Sequence, residues 1–383
     1  MGTTICEAAL PGVTLEDLHQ RIANRFARSE VRDTSLHYLE ALIGQVDRKN
    51  CWQIAEEAGD ETPDGMQRLL RKARWDADEV RDDLRNYVVE YLGEREGVLI
   101  IDETGFIKKG DKSVGVQRQY TGTTGKIDNC QIGVFLSYFT NKGKAFIDRE
   151  LYLPEIWAED KARCEEADVP PRVKFATKPE LAKRMLKRAF KAGVPSKWVA
   201  GDEVYGNNLE LRRWLERNKH PFVLVLASNQ CVMWWTLRQM PVSKLMSEMY
   251  PSNWERKSVG AGSKGEREYD WVWMSLPSRG QRIPKGFGRW VLFRRSITNP
   301  EEIAYYLVFG PEKASFQELT EVAGKRWGIE VAFEEAKGEA GLDEYEVRKW
   351  DSWYRHITLS LMAHAYLVVK RYVENEKKGM VRT

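Results

Sequence analysis

A chain of 383 residues, 42% hydrophobic and 31% charged, can bury a sizeable core and is long enough for one large domain or two to three smaller ones. A net charge of +3 supplies no overall basicity pointing to nucleic acid, and the locally basic runs at 183–191, 212–219 and 289–296 read equally well as solvated faces. Five cysteines without a CxxC pair disfavour a disulfide framework or a cysteine zinc site, acidic Glu7, Glu16 and Asp17 interrupt any secretory leader, and LSLMAHAYLVV is too short to span a bilayer, so a cytoplasmic protein with no membrane partner is expected.

Residues 1–95 read as helical. LEDLHQRIANRFAR and TSLHYLEALIGQV repeat apolar residues at three- and four-residue spacing, as amphipathic helices do. WQIAEEAGDETPDGMQRLLRKA then predicts a short helix, a turn holding Gly59 and Pro63, and a second helix carrying Arg68 and Arg71. That layout is compatible with a DNA-reading helix-turn-helix and with an ordinary helical hairpin. ADEVRDDLRNYVVEYL predicts one more helix.

The organising stretch is GVLIIDETG at 97–105. Val98, Leu99, Ile100 and Ile101 suit a strand buried on both faces and expected to end at Asp102. SVGVQRQYTGT and CQIGVFLSYF predict two antiparallel strands, KAFIDRELYLP another extended piece, and 178–192 a helix. A second short apolar run, ending in KWVAGDEVYG, delivers Asp202; a helix at 207–218 and the strand PFVLVLA follow. Strand, strand, strand, helix, strand, helix, strand is the element order of a ribonuclease-H-like α/β fold with a mixed sheet, whose first and fourth strands end side by side. The first part of that core is expected at 96–227.

Six of the fourteen tryptophans fall between residues 228 and 312, among YDWVWMSL, RWVLFRR and AYYLVFG, which read as strands of a β-rich insertion. Aromatic residues interleaved with Arg and Lys suit stacking on unpaired bases, and equally the core of a small domain. GAGSKG at 260–265 formally matches GxGxxG, but a strand rather than a helix follows it. The last region, 313–383, reads as helical, and a helix over FQELTEVAGKRWGIEVAFEEAKGEAGL, expected to stop at Gly338, sets Arg326, Glu330 and Lys337 within about 40° of one another on one face. Such a stripe is either a solubilising pattern or directed at a site.

Asp102, Asp202 and Glu330 are hard oxygen ligands, suited to Mg2+ or Mn2+ rather than zinc. Two such ions can bind the attacking and leaving oxygens of a phosphodiester. No GxSxG or HExxH is present, and GFIKKGDKS places Asp111 where a P-loop needs lysine.

VLIIDETGFIKKGDKSVGVQRQYTGTTGKIDNCQIGVFLSY, WVAGDEVYG and KRWGIEVAFEEAKGEAGLDEYEVRKW together resemble bacterial insertion-sequence transposases of the DDE superfamily, of the insertion sequence 701 type, allied to the families bearing the YREK motif. The resemblance extends over most of the chain, including GDETPDGMQRLL. It implies Asp102, Asp202 and Glu330 as the catalytic, metal-binding triad for two ions. Arg326, Glu330 and Lys337 fit Y-x2-R-x3-E-x6-K, with Ala323 in the tyrosine position and Trp327 or Tyr305 as stand-ins. By the same resemblance Arg326 and Lys337 hold DNA phosphates, and Trp234, Trp235 and Trp254 are candidates to stabilise a flipped base. The implied activity is cut-and-paste cleavage and joining at transposon ends, with terminal inverted repeats and target DNA as partners, a homodimer on DNA, and nucleoid association. A catalytically inactive DNA-binding regulator of the same descent and a host nuclease of the same fold are the alternatives.

Overall fold

The computed structural model describes residues 13–234, 238–262, 265–277 and 283–380. They form two compact units, one of the described residues up to Leu92 together with those from Glu335 onward, and one of those between Gly93 and Glu334.

The first unit is helical. Leu15–Ile22 opens on a capping box, in which the Asp17 amide donates to Thr14 Oγ1 (3.1 Å) and the Thr14 amide donates to Asp17 Oδ2 (3.3 Å). Ser29–Ile43, Cys51–Glu57, Asp64–Arg71 and Ala77–Leu92 follow. The long helix Trp350–Met380 packs against Ala77–Leu92, Ser29–Ile43 and Asp64–Arg71. Two of its buried polar residues reach across to the other helices: Tyr38 Oη and His356 Nδ1 are hydrogen-bonded at 2.8 Å, and Arg355 donates to the carbonyls of Leu70 and Trp75. The helix Gly328–Ala340 runs through Gly338 instead of stopping there. The chain turns back only where the Leu342 amide donates to the Ala336 carbonyl at 3.1 Å.

The second unit is a mixed α/β structure. Its strands in chain order are β1 (Val98–Ile107), β2 (Gln117–Thr121), β3 (Lys126–Phe139), β4 (Lys144–Tyr152), β5 (Trp198–Gly201), β6 (Phe222–Leu226), β7 (Cys231–Met233), β8 (Gln239–Pro241), β9 (Glu255–Gly262), β10 (Gly265–Ser275), β11 (Phe287–Ser296) and β12 (Ile303–Pro311). Ten of them make one sheet, in the order β2-β3-β1-β5-β6-β12-β11-β10-β9 with β4 also on β3, while β7 and β8 pair separately. Only β1 with β5 and β5 with β6 run parallel.

β1 does not end at Asp102 as its apolar run suggests. Its antiparallel partner β3 follows it from Val98 opposite Phe139 to Ile107 opposite Cys130, so backbone pairing carries the strand past the polar residues. What ends near Asp102 is the parallel pairing with β5, which stops at Ile101 opposite Gly201. The tryptophan-rich segment continues this sheet through β12, antiparallel to β6. Several of its tryptophans are packing residues: Trp271 is fully buried, and Trp273 stacks on both Trp290 and Phe316.

The helix Lys178–Lys191 packs on β3 and β4. There Arg188 spans Asp148 (Nε to Oδ2, 2.8 Å) and Glu150 (2.6 Å), which gives part of the basic run at 183–191 an internal role.

Gly206 ends the four-residue helix that follows Asp202, where a Cβ would lie 1.7 Å from the Val225 carbonyl oxygen. Overpacking costs about 1–3 kcal/mol at sites that can relax. Gly206→Ala, facing backbone, is therefore expected to lower stability by about 3 kcal/mol or more. A denaturant midpoint unchanged from wild type would show that this turn yields.

Candidate metal centre

The register of two strands brings the aspartates together. β1 and β5 are parallel and in step up to Ile101 and Gly201, so the next residue on each is an aspartate at the same level. Asp102 Oδ1 accepts from the Glu103 amide at 2.8 Å. Asp202 caps the short helix Glu203–Gly206, its Oδ1 accepting from the Val204 amide at 2.9 Å.

Glu103 joins them. Carboxylate oxygens of Asp102, Glu103 and Asp202 lie within 4.8 Å of one another, the group of acidic side chains among the described residues that could share an ion. Glu103 is already compensated on both oxygens, by Lys178 Nζ (2.7 Å to Oε1) and by the Tyr205 hydroxyl (2.5 Å to Oε2). Asp102 has less: its cationic neighbour is Arg326, with Nη1 3.8 Å from Oδ2, beyond hydrogen-bond range.

The electrostatics follow from this crowding. Burial, and then the charges of Asp202 and Glu103, hold the Asp102 carboxyl well above the usual range against the opposing pull of Arg326. Burial and then Glu103 push Asp202 up to about 6, although Arg326 and the amides of Val204 and Tyr205 favour its ionised form. Burial, followed by the same three carboxylates, raises the Tyr205 hydroxyl, keeping it a donor. A divalent cation would relieve this repulsion, and an all-carboxylate donor set suits Mg2+ or Mn2+.

Arg326, Glu330 and Lys337 do not share one continuous helix. The helical run breaks after Phe316–Lys325 and resumes at Gly328, leaving Arg326 and Trp327 in a turn. The residues at the break are closely packed. A Cβ on Gly328 would lie 2.5 Å from the Phe139 ring, and the Trp327 ring lies against Tyr269 (5.5 Å) and beneath the Arg294 guanidinium (4.3 Å). Arg326 thereby turns toward Asp102.

Glu330 is exposed, and among the described residues its carboxylate has no hydrogen-bond or ion-pair partner. Three residues on, the Phe333 ring meets Phe135 at 5.4 Å, and Phe135 is the cross-strand partner of Asp102. Glu330 thus lies in sequence between one residue that touches Asp102 and another that touches its strand neighbour. Glu334 is exposed as well. Lys337 belongs to the first unit, where burial, opposed by Asp343, lowers its ammonium from the usual range.

The remaining sequence candidates lie elsewhere in the chain. Arg68 and Arg71 are exposed on Asp64–Arg71, whose inner face is Met66, Leu69 and Leu70. Trp254 is half-buried beneath the Arg295 guanidinium (4.2 Å), Trp234 is half-buried, and Trp235 falls outside the described residues. Ala323, in the tyrosine position, is buried at 1% exposure. Sequence reasoning missed Glu103, Lys178 and Tyr205. The acidic doublet at 102–103 was a signal for the first, but neighbours on a strand ordinarily face opposite ways.

A carboxyl whose pKa is raised by folding binds its proton more tightly in the native state than in the unfolded chain. Stability of the metal-free protein should therefore fall as pH rises from about 4 through about 6, the range between the ordinary and the shifted value for Asp202. Asp202→Asn removes the charge, and is expected to stabilise the metal-free protein at pH 7.5 by on the order of 2 kcal/mol and to abolish the rise in Tm that Mg2+ gives the wild type. Thermal unfolding with and without Mg2+ tests this; an equal Mg2+ effect on both proteins would remove Asp202 from the metal site.

A family model described as "DDE superfamily endonuclease" matches residues 21–244. A curated relative from Microchaete diplosiphon, "Probable transposase for insertion sequence element IS701", is 25% identical over 316 residues, covering 80% of this chain and 74% of its own length. Among solved structures, the cryo-EM structure of a piggyBac transposase synaptic complex with hairpin DNA covers 99% of this chain and 70% of its own, at a TM-score of 0.48 and 10% identity.

Proposed function

The chain belongs to the DDE superfamily of endonucleases, and from that premise we propose that it is the transposase of an insertion sequence, cutting and rejoining DNA at the element's two ends. The expected kinship with transposases of the insertion sequence 701 type is met by the curated relative. The observation that carries the reading is the pair of aspartates just past the point where two adjacent strands stop pairing in parallel, crowded enough to call for a cation.

The core is ribonuclease-H-like in this proposal. The sheet order β4-β3-β1-β5-β6, with β1, β3 and β4 antiparallel and β5 and β6 parallel to β1, supports it. Asp102, Asp202 and Glu330 hold two ions, Mg2+ or Mn2+. When bound, such ions activate the attacking oxygen and stabilise the leaving one in an in-line displacement. Glu103, fixed by Lys178 and Tyr205, stands beside the two aspartates and adds to the repulsion that a cation would relieve. Glu330 completes the set from the last catalytic helix; its lack of a partner among the described residues and its place between Arg326 and Phe333 support that role.

Arg326 remains close to the cleaved phosphodiester, where its buried, unpartnered Nε and its 3.8 Å separation from Asp102 leave donors for a phosphate. Lys337 is assigned a phosphate contact on the resemblance alone. Arg68 and Arg71, on the second helix of a helix-turn-helix arrangement, read the terminal repeats. Trp234, Trp235 and Trp254 are kept as base-stacking candidates, with Trp254 favoured by its place under Arg295. Action at two ends implies a homodimer on DNA and a cytoplasmic, nucleoid-associated protein; no helix among the described residues is long and apolar enough to cross a membrane.

Excision from a plasmid carrying the element's own ends tests the reading. Wild type should excise with Mg2+ or Mn2+, and Asp102→Asn, Asp202→Asn and Glu330→Gln should each lose cutting by about a hundredfold or more while still binding the ends. Glu103→Gln should lower cutting less, because it leaves the proposed metal ligands in place. A wild type that binds the ends and never cuts would make the chain a DNA-binding regulator, and cutting without strand joining would make it a nuclease. If Glu330→Gln cuts normally and Glu103→Gln does not, Glu103 is the third ligand.

A further inference from the structure

Apart from the acidic centre, the second unit holds a groove of about 980 Å³ between the helix Leu209–Arg217 and strands β7, β8, β11 and β12. Its charged lining is Arg212, Arg213, Arg217, Arg289 and Glu216, and none of these belongs to the acidic centre. Glu216 is committed to one of the arginines, accepting from Arg289 Nε at 2.8 Å on Oε1 and from Arg289 Nη2 at 2.5 Å on Oε2.

Arg212 is what that pairing leaves over. It is 7% exposed, its Nε has no hydrogen-bond partner, and no carboxylate among the described residues forms an ion pair with it. The undescribed residues at 235–237 and 278–282 contain no Asp or Glu. Burying a guanidinium without an anion is costly, and native folds rarely keep one so. Burial lowers its ordinarily very high pKa, with Glu216 opposing and Arg289 and Arg213 adding to the effect. Arg213 and Arg217, one residue and five residues further along the same helix, are exposed at the rim. An unpaired arginine at the floor, further arginines at the rim and apolar walls from Val232, Leu276 and Leu307 make a receptor for a strand of singly charged anions rather than for a metal or a neutral ligand.

We propose that this groove binds the phosphodiester backbone of DNA, with a phosphate on Arg212 and flanking phosphates on Arg213 and Arg217. The proposal rests on the transposase reading and adds to it a DNA contact remote in sequence from Arg68, Arg71, Arg326 and Lys337. Contacts to phosphate carry no base sequence, so the groove should serve element ends and unrelated DNA alike.

The test is equilibrium binding, by fluorescence anisotropy over a range of NaCl concentrations, of wild type, Arg212→Gln, Arg217→Gln and Asp202→Asn. The probes are a duplex of the element's end and an unrelated duplex of equal length. Each arginine variant should bind both duplexes about tenfold more weakly. The slope of log affinity against log salt should become shallower by about one for each phosphate that the variant no longer neutralises. Arg217 is on the surface, so Arg217→Gln decides the matter even if Arg212→Gln does not fold. Unchanged affinity and slope in the folded arginine variants would overturn the groove, including in favour of an acidic protein as its occupant; if wild type still excises, the transposase reading stands. A wild type that neither binds nor cuts would sink both. Asp202→Asn, binding normally and failing to cut, separates the two functions.

Discussion

Three carboxylates within 4.8 Å of one another are the constraint around which the second unit is built. Like charges at that distance in a partly desolvated setting repel strongly, and the fold answers with neighbours that compensate only in part. Lys178 and Tyr205 take up Glu103; Arg326 stands near Asp102 without bonding to it; two backbone amides cap Asp202. A divalent cation would relieve the residual repulsion, whereas a site that neutralised itself completely would leave little for a metal to stabilise.

The scaffold that tolerates this crowding is the mixed sheet. Its central strands are apolar on both faces up to the level of the aspartates: Val98, Leu99, Ile100 and Ile101 on β1 and Trp198, Val199 and Ala200 on β5 are at most 2% exposed. Close packing there resists any slip of register, which would separate the two aspartates. The tryptophan-rich strands lengthen the same sheet and hold the turn at Arg326 through the contacts of Tyr269 and Arg294 with Trp327. These strands therefore pack against the segment that carries Arg326 beside Asp102.

Arginine serves two purposes in this unit. Arg188 and Arg289 are each clamped by carboxylates and tie a helix to the sheet. Arg212 is buried without such a partner, and Arg326 is half-buried with Asp102 3.8 Å away, each with an unsatisfied Nε. Guanidinium groups compensated this little leave donors for an anion supplied from outside, which agrees with an enzyme acting on a polyanion.

Much of this was legible in the sequence by itself. Apolar runs ending in Asp102 and Asp202 identified both strands, because burial on two faces leaves an unbroken aliphatic signature. Among the described residues, the amphipathic periods before residue 95 and the aromatic and β-branched runs of YDWVWMSL, RWVLFRR and AYYLVFG likewise declared their secondary structure. Composition and periodicity could not report what depends on pairing between distant segments. The extension of β1 beyond Asp102 goes with its pairing to β3; Glu103 meets the acidic cluster where Tyr205 and Lys178 hold it; the break at Arg326 is packed against Phe139, Tyr269 and Arg294. Residue type and local spacing thus determined which side chains could do chemistry with a metal and a phosphodiester. Only the tertiary structure decided which of them meet, because strand register and side-chain contact are set between segments far apart in the chain.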